Sequence, residues 1–441
     1  MTVTYKNTNQ KVEDGIYIAR VFSNSKEFEF LTDNKAGTYS KVTVIPDVVI
    51  PPTPIEIPPI PPVITKGDTA SLVSALMVAK GGEVIYLKPG LYGDFSISGK
   101  KYTNPVKIVS ETPSQPAVFG RIAVTGVDNI WFESISLDWR VTADTKDHNA
   151  GFDALNTNGL VVLNCTFIGN PNPVTKELVG RGVAVFDSKN LVIKGCTVTG
   201  FRRGIMTTNV DGMVIEKNHV HNNRTSTLSG SNVKNIVVKG NHLESSHPVN
   251  FGGPGDHGDF IHYWTQPDQS GPSDNFVILD NFMEQGTGVA LLGIYLDNNT
   301  NPQGFTNVLI ENNVLHNGNG QGMRLEKVVG AVVKRNTLLQ SKGDIQKAPR
   351  IRVETGCRDI MIKDNIVSNI LAGGAVANKA ALNIVETGTV QLANILAQTG
   401  KFVGLPKENG TLADMQQVSG AFPLGVGAKL TTDMVFTSTF G

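Results

Sequence analysis

The chain repeats itself, and the repeat decides what it can fold into. A turn-forming residue followed by a short apolar strand recurs along the sequence. The segments are Asn129-Ile-Trp-Phe-Glu, Gly159-Leu-Val-Val-Leu, Asn190-Leu-Val-Ile-Lys, Gly212-Met-Val-Ile-Glu, Asn235-Ile-Val-Val-Lys, Asn275-Phe-Val-Ile-Leu, Asn307-Val-Leu-Ile-Glu, Gly330-Ala-Val-Val-Lys and Asp359-Ile-Met-Ile-Lys. Most steps are about 22–32 residues, and one longer step carries an insertion around residues 250–270. A period of this length with strand patterning means a β-solenoid: no coil can bury its own apolar face, so stacked coils share one core. The fold class expected is all-β, a parallel β-helix.

A second column sets the register. Six residues after each opening residue stand Cys165, Cys196, Asn218, Asn241, Asn281, Asn313, Asn336 and Asn365. Stacked asparagines can bond one another and satisfy the turn backbone. The two cysteines of the same column read as small buried fillers. Three cysteines in all argue against a disulfide scaffold, and no Cys/His spacing suggests zinc.

The 39 basic and 39 acidic residues cancel, so the basic excess of a nucleic-acid binder is missing. No apolar run is long enough to span a membrane. The opening MTVTYKNTNQ has no apolar core of a secretory signal, so the protein is expected either to stay in the cytosol or to leave the cell by another route. Residues 1–45 show strand-like alternation and read as an attachment segment. Residues 46–65, containing DVVIPPTPIEIPPIPPVIT, read as a semi-rigid proline-rich linker. A helix capped by Asp68 is expected to open the β-helix, which is assigned residues 66–386. Residues 387–441 depart from the repeat and are expected to cap the last coil or aid assembly.

The stretch Gly81–Pro113, GGEVIYLKPGLYGDFSISGKKYTNPVKIVSETP, is similar to the first coils of the chondroitinase-B and alginate-lyase branch. With the asparagine column, the chain resembles the pectate-lyase superfamily of right-handed β-helices. That resemblance implies a right-handed coil and a polysaccharide substrate, and leaves the reaction open.

Candidate chemistry lies on another strand of each coil. Gly293-Ile-Tyr-Leu-Asp, Gly322-Met-Arg-Leu-Glu and Arg350-Ile-Arg-Val-Glu align, with Ala381-Leu-Asn-Ile-Val as a fourth. Alternation sends Ile294, Met323 and Ile351 inward, with Leu296, Leu325 and Val353. Tyr295, Arg324 and Arg352 then form one outward column, and Asp297, Glu326 and Glu354 the next. A surface ladder of salt bridges is the competing reading of these columns. The preceding coil carries Asp256, His257, Asp259, His262, Tyr263 and Trp264. If Ile261 points inward, His262 lies beside Tyr295; if Phe260 does, His257 and Asp259 face out. The candidate catalytic set is therefore His257, Asp259, His262, Tyr295, Asp297, Arg324, Glu326, Arg352 and Glu354. Asp256, Tyr263, Trp264, Arg202, Arg203 and Lys327 are assigned to substrate binding.

Two chemistries fit. In β-elimination at a uronic acid, His257 or His262 is the base, or a Lys or Arg as the alginate-lyase resemblance implies, with Tyr295 the acid and Arg324 or Arg352 the neutraliser of the carboxylate. Asp297, Glu326 and Glu354 are then a candidate Ca²⁺ site. In glycoside hydrolysis, paired carboxylates such as Asp297 with Glu326 or Glu354, or Asp259 with Asp297, do the work. Elimination is slightly favoured by the resemblance. A non-catalytic glycan-binding fibre is the alternative of another class. An N-terminal adaptor, a stiff linker and a β-helix without a secretory signal resemble bacteriophage tailspike and tail-fibre depolymerases. That resemblance implies a homotrimer on the virion, outside the cell, joined to a baseplate or tail protein through residues 1–45 and acting on capsule, exopolysaccharide or O-antigen.

Overall fold

The computed structural model describes residues 16–23, 26–33, 63–64, 67–249, 256–298, 302–341, 347–372 and 382–434. It divides into two units, Met1–Asp47 and Val48–Gly441. The described part of the first is an antiparallel hairpin of Ile16–Ser23 and Lys26–Asp33. Most of the proline-rich stretch lies outside the described residues.

The second unit is a right-handed parallel β-helix, as the repeat and the resemblance led us to expect. The helix Thr69–Val78 opens it, and the Asp68 carboxylate caps that helix by accepting from the Ser71 N–H at 2.7 Å. Leu72 and Leu76 of this helix are fully buried at the end of the core. Val63–Ile64 pairs in parallel with Ile85–Tyr86, so the β-helix already starts inside the expected linker.

Each coil contributes to three parallel sheets. The first sheet includes Asp259–Trp264, Leu292–Asp297, Gln321–Leu325, Arg350–Val353 and Ile370–Ala372. The second contains the repeated apolar strands, from Val84–Leu87 to Ile384–Thr387. The third is made of short strands such as His219–His221, His242–Glu244 and Phe282–Glu284. One continuous apolar core runs between them.

The repeat's opening residues now have a physical reason. Asn129, Gly159, Asn190, Gly212, Asn235, Asn275, Asn307, Gly330 and Asp359 all have left-handed backbone, φ between 53 and 78°. They turn the chain from the first sheet into the second, where Gly, Asn and Asp are the residues that tolerate that conformation. Five residues later a second left-handed residue turns it into the third sheet, as at Gly240, Asp280 and Asn312.

The asparagine column stands immediately after that second turn and is completely buried. The Asn281 Oδ1 accepts from the backbone N–H of Asn241 at 3.0 Å and from its Nδ2 at 2.9 Å. The Asn281 Nδ2 donates to the Val238 carbonyl and to the Asn313 Oδ1, both at 2.9 Å. The pattern repeats from Asn218 to Asn365, and the Asn218 Oδ1 passes it on to the Cys196 N–H. Cys165 and Cys196 are buried free thiols in the same column.

Two expectations need correction. The described part of the fourth aligned segment, residues 382–385, does not continue the candidate site: Ile384–Thr387 pairs with Ile360–Lys363 in the second sheet. Asn383 is its left-handed opening residue, and Ile370–Ala372 occupies the first sheet instead. The β-helix also runs on to Val390–Gln391. Beyond it, the described part of the tail lies along the side of the β-helix. Leu392, Phe402, Leu405, Met415 and Val426 pack against Phe282, Val314, Leu339 and Ile366, along the outer face of the third sheet.

Replacing Asn281 by Ala strands the Asn241 N–H and leaves a void. The expected loss is about 2–4 kcal/mol, read as a lower thermal or urea midpoint, and Asn281→Leu should not restore it because the orphaned N–H remains.

Candidate functional site

The first sheet stacks its outward side chains in two columns, in the register expected from alternation. His262, Tyr295, Arg324 and Arg352 are direct partners on successive strands, and Trp264 is aligned with Asp297. Ile261 and Tyr263 point inward and are fully buried, so the reading that puts His262 beside Tyr295 holds. Asp259 precedes them and is buried beneath the imidazole.

At the centre His262 is held by two acids. Its Nδ1 lies 3.3 Å from the Asp259 Oδ2, and its Nε2 lies 3.5 Å from the Asp297 Oδ2. Its ring stacks on Tyr295 with centroids 5.0 Å apart and planes 6° from parallel. Burial favours the neutral ring, but the two carboxylates outweigh it and raise the pKa to about 9. At neutral pH His262 is an imidazolium, which removes it as a resting general base.

The phenol of Tyr295 donates to the Glu326 Oε1 at 2.9 Å. Burial raises its pKa far above the ordinary phenol value, and Asp297 and Glu326 add to the effect. The Arg324 guanidinium sits 5.0 Å from the Tyr295 ring centroid. It bridges Glu326 at 2.6 Å and Glu354 at 2.9 Å, and Arg352 closes on Glu354 at 2.5 Å. The ladder of salt bridges is therefore present in Arg324, Arg352 and Glu354, but His262, Tyr295 and Asp297 extend it into something else.

The Asp297 and Glu326 carboxyls occupy one column on adjacent coils and are pushed in opposite directions. Burial would raise Asp297, but the hydrogen bond and charge of His262 hold it below its ordinary value. Glu326 is raised, first by burial, with the negative charge of Asp297 adding to it and Tyr295 and Arg324 opposing. One acid thus stays ionised while its neighbour keeps its proton longer, the electrostatic pattern of an acid–base pair. Asp297 is the more open of the two, with 29% of its side chain exposed against 19% for Glu326.

The remaining candidates fall into separate groups. Trp264 lies against His262 at 5.1 Å, and the Arg203 guanidinium lies 5.8 Å from the Trp264 ring centroid. Arg203 is mostly buried, and that burial, with Arg202 and Arg181 close by, lowers its pKa to about 10. Arg202 pairs with Asp147 at 3.3 Å and Asp256 at 3.5 Å. His257 is exposed and stands outside the cluster. Lys327 is a left-handed turn residue directly after Glu326, against Gly356.

Two substrate-binding assignments are corrected. Tyr263 faces the core, with its ring 5.5 Å from Phe276, and no ligand on the outer face can touch it. Asp256 is buried and spent on structure: it takes Arg224 at 2.6 Å, Arg202, and the Val249 N–H at 3.1 Å. A Ca²⁺ site at Asp297, Glu326 and Glu354 does not fit either. Their oxygens already face an imidazolium, a phenol and two guanidiniums, while calcium asks for six to eight oxygen ligands. Sequence reasoning missed Asn298, whose N–H donates to the Glu326 Oε2 at 3.4 Å and whose Oδ1 accepts from Thr265 at 3.0 Å. Its only signal is its place, one residue beyond the acidic column.

Residues 133–277 match the family described as right handed beta helix region. No curated protein matches the chain. Solved structures similar to it include the A-module of the Azotobacter vinelandii mannuronan C-5 epimerase AlgE6, at 14% identity and a TM-score of 0.43 over 73% of this chain and 93% of that one. PfbA, a surface adhesin of Streptococcus pneumoniae, aligns at 11% identity and a TM-score of 0.39 over 74% and 92%. The Dettilon tailspike protein aligns at 12% identity and a TM-score of 0.38 over 75% and 63%.

The paired imidazolium has a measurable consequence. Its pKa rises on folding from 6.5 to about 9, so its stabilisation is complete below about pH 6.5 and is lost as pH climbs through 9. The thermal midpoint of the native protein should fall over that interval, and His262→Gln should remove most of the fall. NMR of the His262 ring should show it protonated at pH 7.5.

Proposed function

We propose that the chain is a polysaccharide-cleaving enzyme whose acid–base pair is Asp297 and Glu326. What carries this reading is the placement of the two carboxyls one coil apart, directly beyond the paired Leu296 and Leu325, with His262 against Asp297 and Tyr295 and Arg324 against Glu326. Glu326, whose pKa is raised by burial and by the charge of Asp297, is the general acid that delivers its proton to the glycosidic oxygen. Asp297, kept ionised by His262, acts on the opposite charge: it supports the cationic sugar of the transition state or activates water.

The neighbours position this pair. Asp259 fixes His262, and the imidazolium fixes Asp297. Tyr295 and Arg324 orient Glu326 from the other side. Trp264 offers an aromatic face to a sugar ring. Arg203, with Arg202 and Arg181 near it, makes the adjoining coil strongly cationic and suits an acidic glycan.

The charge states of the cluster favour hydrolysis over elimination through His262. Elimination with His262 as the base needs that ring neutral, and it needs a free cation for the uronate. Here His262 is already charged, and Arg324 and Arg352 are both committed to carboxylates. The substrate class we infer is a bacterial surface polysaccharide: capsule, exopolysaccharide or O-antigen. A trimeric spike on a phage tail, attached through the N-terminal unit, is the setting in which we place it.

The test is digestion of a panel of such polysaccharides, following reducing ends and the ultraviolet absorbance of unsaturated uronates together. Reducing ends rising alone supports hydrolysis. Both signals rising means elimination, and neither signal on a glycan that binds leaves a receptor-binding fibre. Asp297→Asn and Glu326→Gln should each lower kcat by about 10²–10⁴-fold while glycan binding is retained. The rate should fall on the alkaline side as Glu326 loses its proton and on the acid side as Asp297 gains one, and Glu326→Gln should abolish the alkaline limb.

A further inference from the structure

The outer face of the third sheet carries a second cluster that the proposed reaction does not use. His219 and His242 are direct partners on adjacent coils, and His221 is partner to Glu244. Asn218 and Asn241, the buried ladder residues, immediately precede the two strands, so His219 and His242 stand on backbone whose register is locked. Alternation turns His219, His221, His242 and Glu244 outward while Val220 and Leu243 fill the core.

The donors converge. One ligand atom from each of His219, His242 and Glu244 lies within 4.8 Å of the other two. The His219 Nε2 is 2.8 Å from the Glu244 Oε1, and the His242 Nε2 is 4.0 Å from the same oxygen. Three donors at zinc distances of about 2.0–2.2 Å in a tetrahedral site stand about 3.3 Å apart, so small side-chain rotations suffice to surround an ion.

Stacking alone does not account for the group. The rings of His219 and His242 stack at 4.8 Å, His242 stacks on Phe282 at 4.9 Å, and His221 covers His219 at 4.2 Å. That orders the rings and still leaves the His242 Nε2 buried without a hydrogen-bond partner. Its nearest acceptor, the Glu244 Oε1, is too far for a hydrogen bond and suitably placed to share a metal. The aromatic shell of His221 and Phe282 limits the rings' freedom, as good ligand sites require.

We propose that His219, His242 and Glu244 bind one divalent cation of borderline softness, Zn²⁺ foremost, with solvent completing the coordination. Two imidazoles and one carboxylate are a ligand set that zinc accepts. The site joins two adjacent coils at the corner where the chain leaves Glu244 for the segment that returns as Asp259–Trp264. Its role is to pin the start of that segment, at a distance from the acid–base pair.

The test uses the full chain without an affinity tag, stripped by chelator and titrated with ZnCl₂ alone by calorimetry, with elemental analysis after desalting. One Zn²⁺ per chain is expected. Glu244→Gln, which keeps the side-chain shape, and His242→Gln should each weaken binding about tenfold or more. The double variant His219→Gln/His242→Gln should lose it, with unchanged far-ultraviolet circular dichroism. His148→Gln, an exposed histidine elsewhere, should bind as the native chain does. Zn²⁺ should raise the thermal midpoint of the native protein and not that of the double variant. Absence of stoichiometric zinc, or equal binding by native protein and double variant, overturns the proposal.

Discussion

The structure rests on what happens to one backbone N–H per coil. Where the chain turns from the second sheet to the third, the regular ladder of strand bonds is interrupted. The N–H at that corner is buried, and leaving it unpaired costs about 1–3 kcal/mol. The asparagine of the next coil meets that N–H with its Oδ1 and also accepts its neighbour's Nδ2, while its own Nδ2 donates to a carbonyl of the coil behind and to the following asparagine. Within the ladder, from Asn241 to Asn336, each Oδ1 accepts two bonds and each Nδ2 donates at least two. A shift of one residue would break this set along the whole stack, so the ladder fixes register as well as adding stability.

Fixed register turns sequence into columns, and the columns make the site. His262, Tyr295, Arg324 and Arg352 meet because their strands are held one rung apart, not because they are near in sequence. Alternating charge then does the tuning. A lone carboxylate on that face would titrate normally; with an imidazolium on one side and a second carboxyl on the other, Asp297 and Glu326 are driven apart. The geometry comes from the backbone and the acidity from the neighbours, and neither needs a mobile loop.

The fold was largely legible because its rules are local. Left-handed turns select Gly, Asn and Asp at the opening position, and the buried corner selects Asn, so both columns appear in the letters. Inward residues of the site strands followed from alternation alone. What failed did so for long-range reasons. Ala381–Val385 resembles a site strand in pattern, and only the pairing of residues 384–385 shows that they belong to the second sheet. Tyr263 and Asp256 carry side chains typical of binding sites, but one is on the core side of its strand and the other is consumed by Arg224. The tail's apolar residues have no repeat, so nothing in the sequence said that they would cover the side of the third sheet instead of its end. The state of His262 was equally hidden, since it depends on Asp259 and Asp297, one on its own strand and one a coil away.

A solenoid separates the two demands that compete in most enzymes. Its stability grows with each stacked coil and is set by core and ladder, which face inward. Its outward positions are then open to groups that a compact core could not tolerate, such as three cations and three acids within a few ångströms. The first sheet spends that freedom on a cluster of paired acids, imidazolium and guanidiniums, and the third on a cluster of imidazoles. The C-terminal segment covers the third sheet from Phe282 onward. It therefore marks the part of that face that is packing surface, and His219, His221 and His242 stand one coil or more before it.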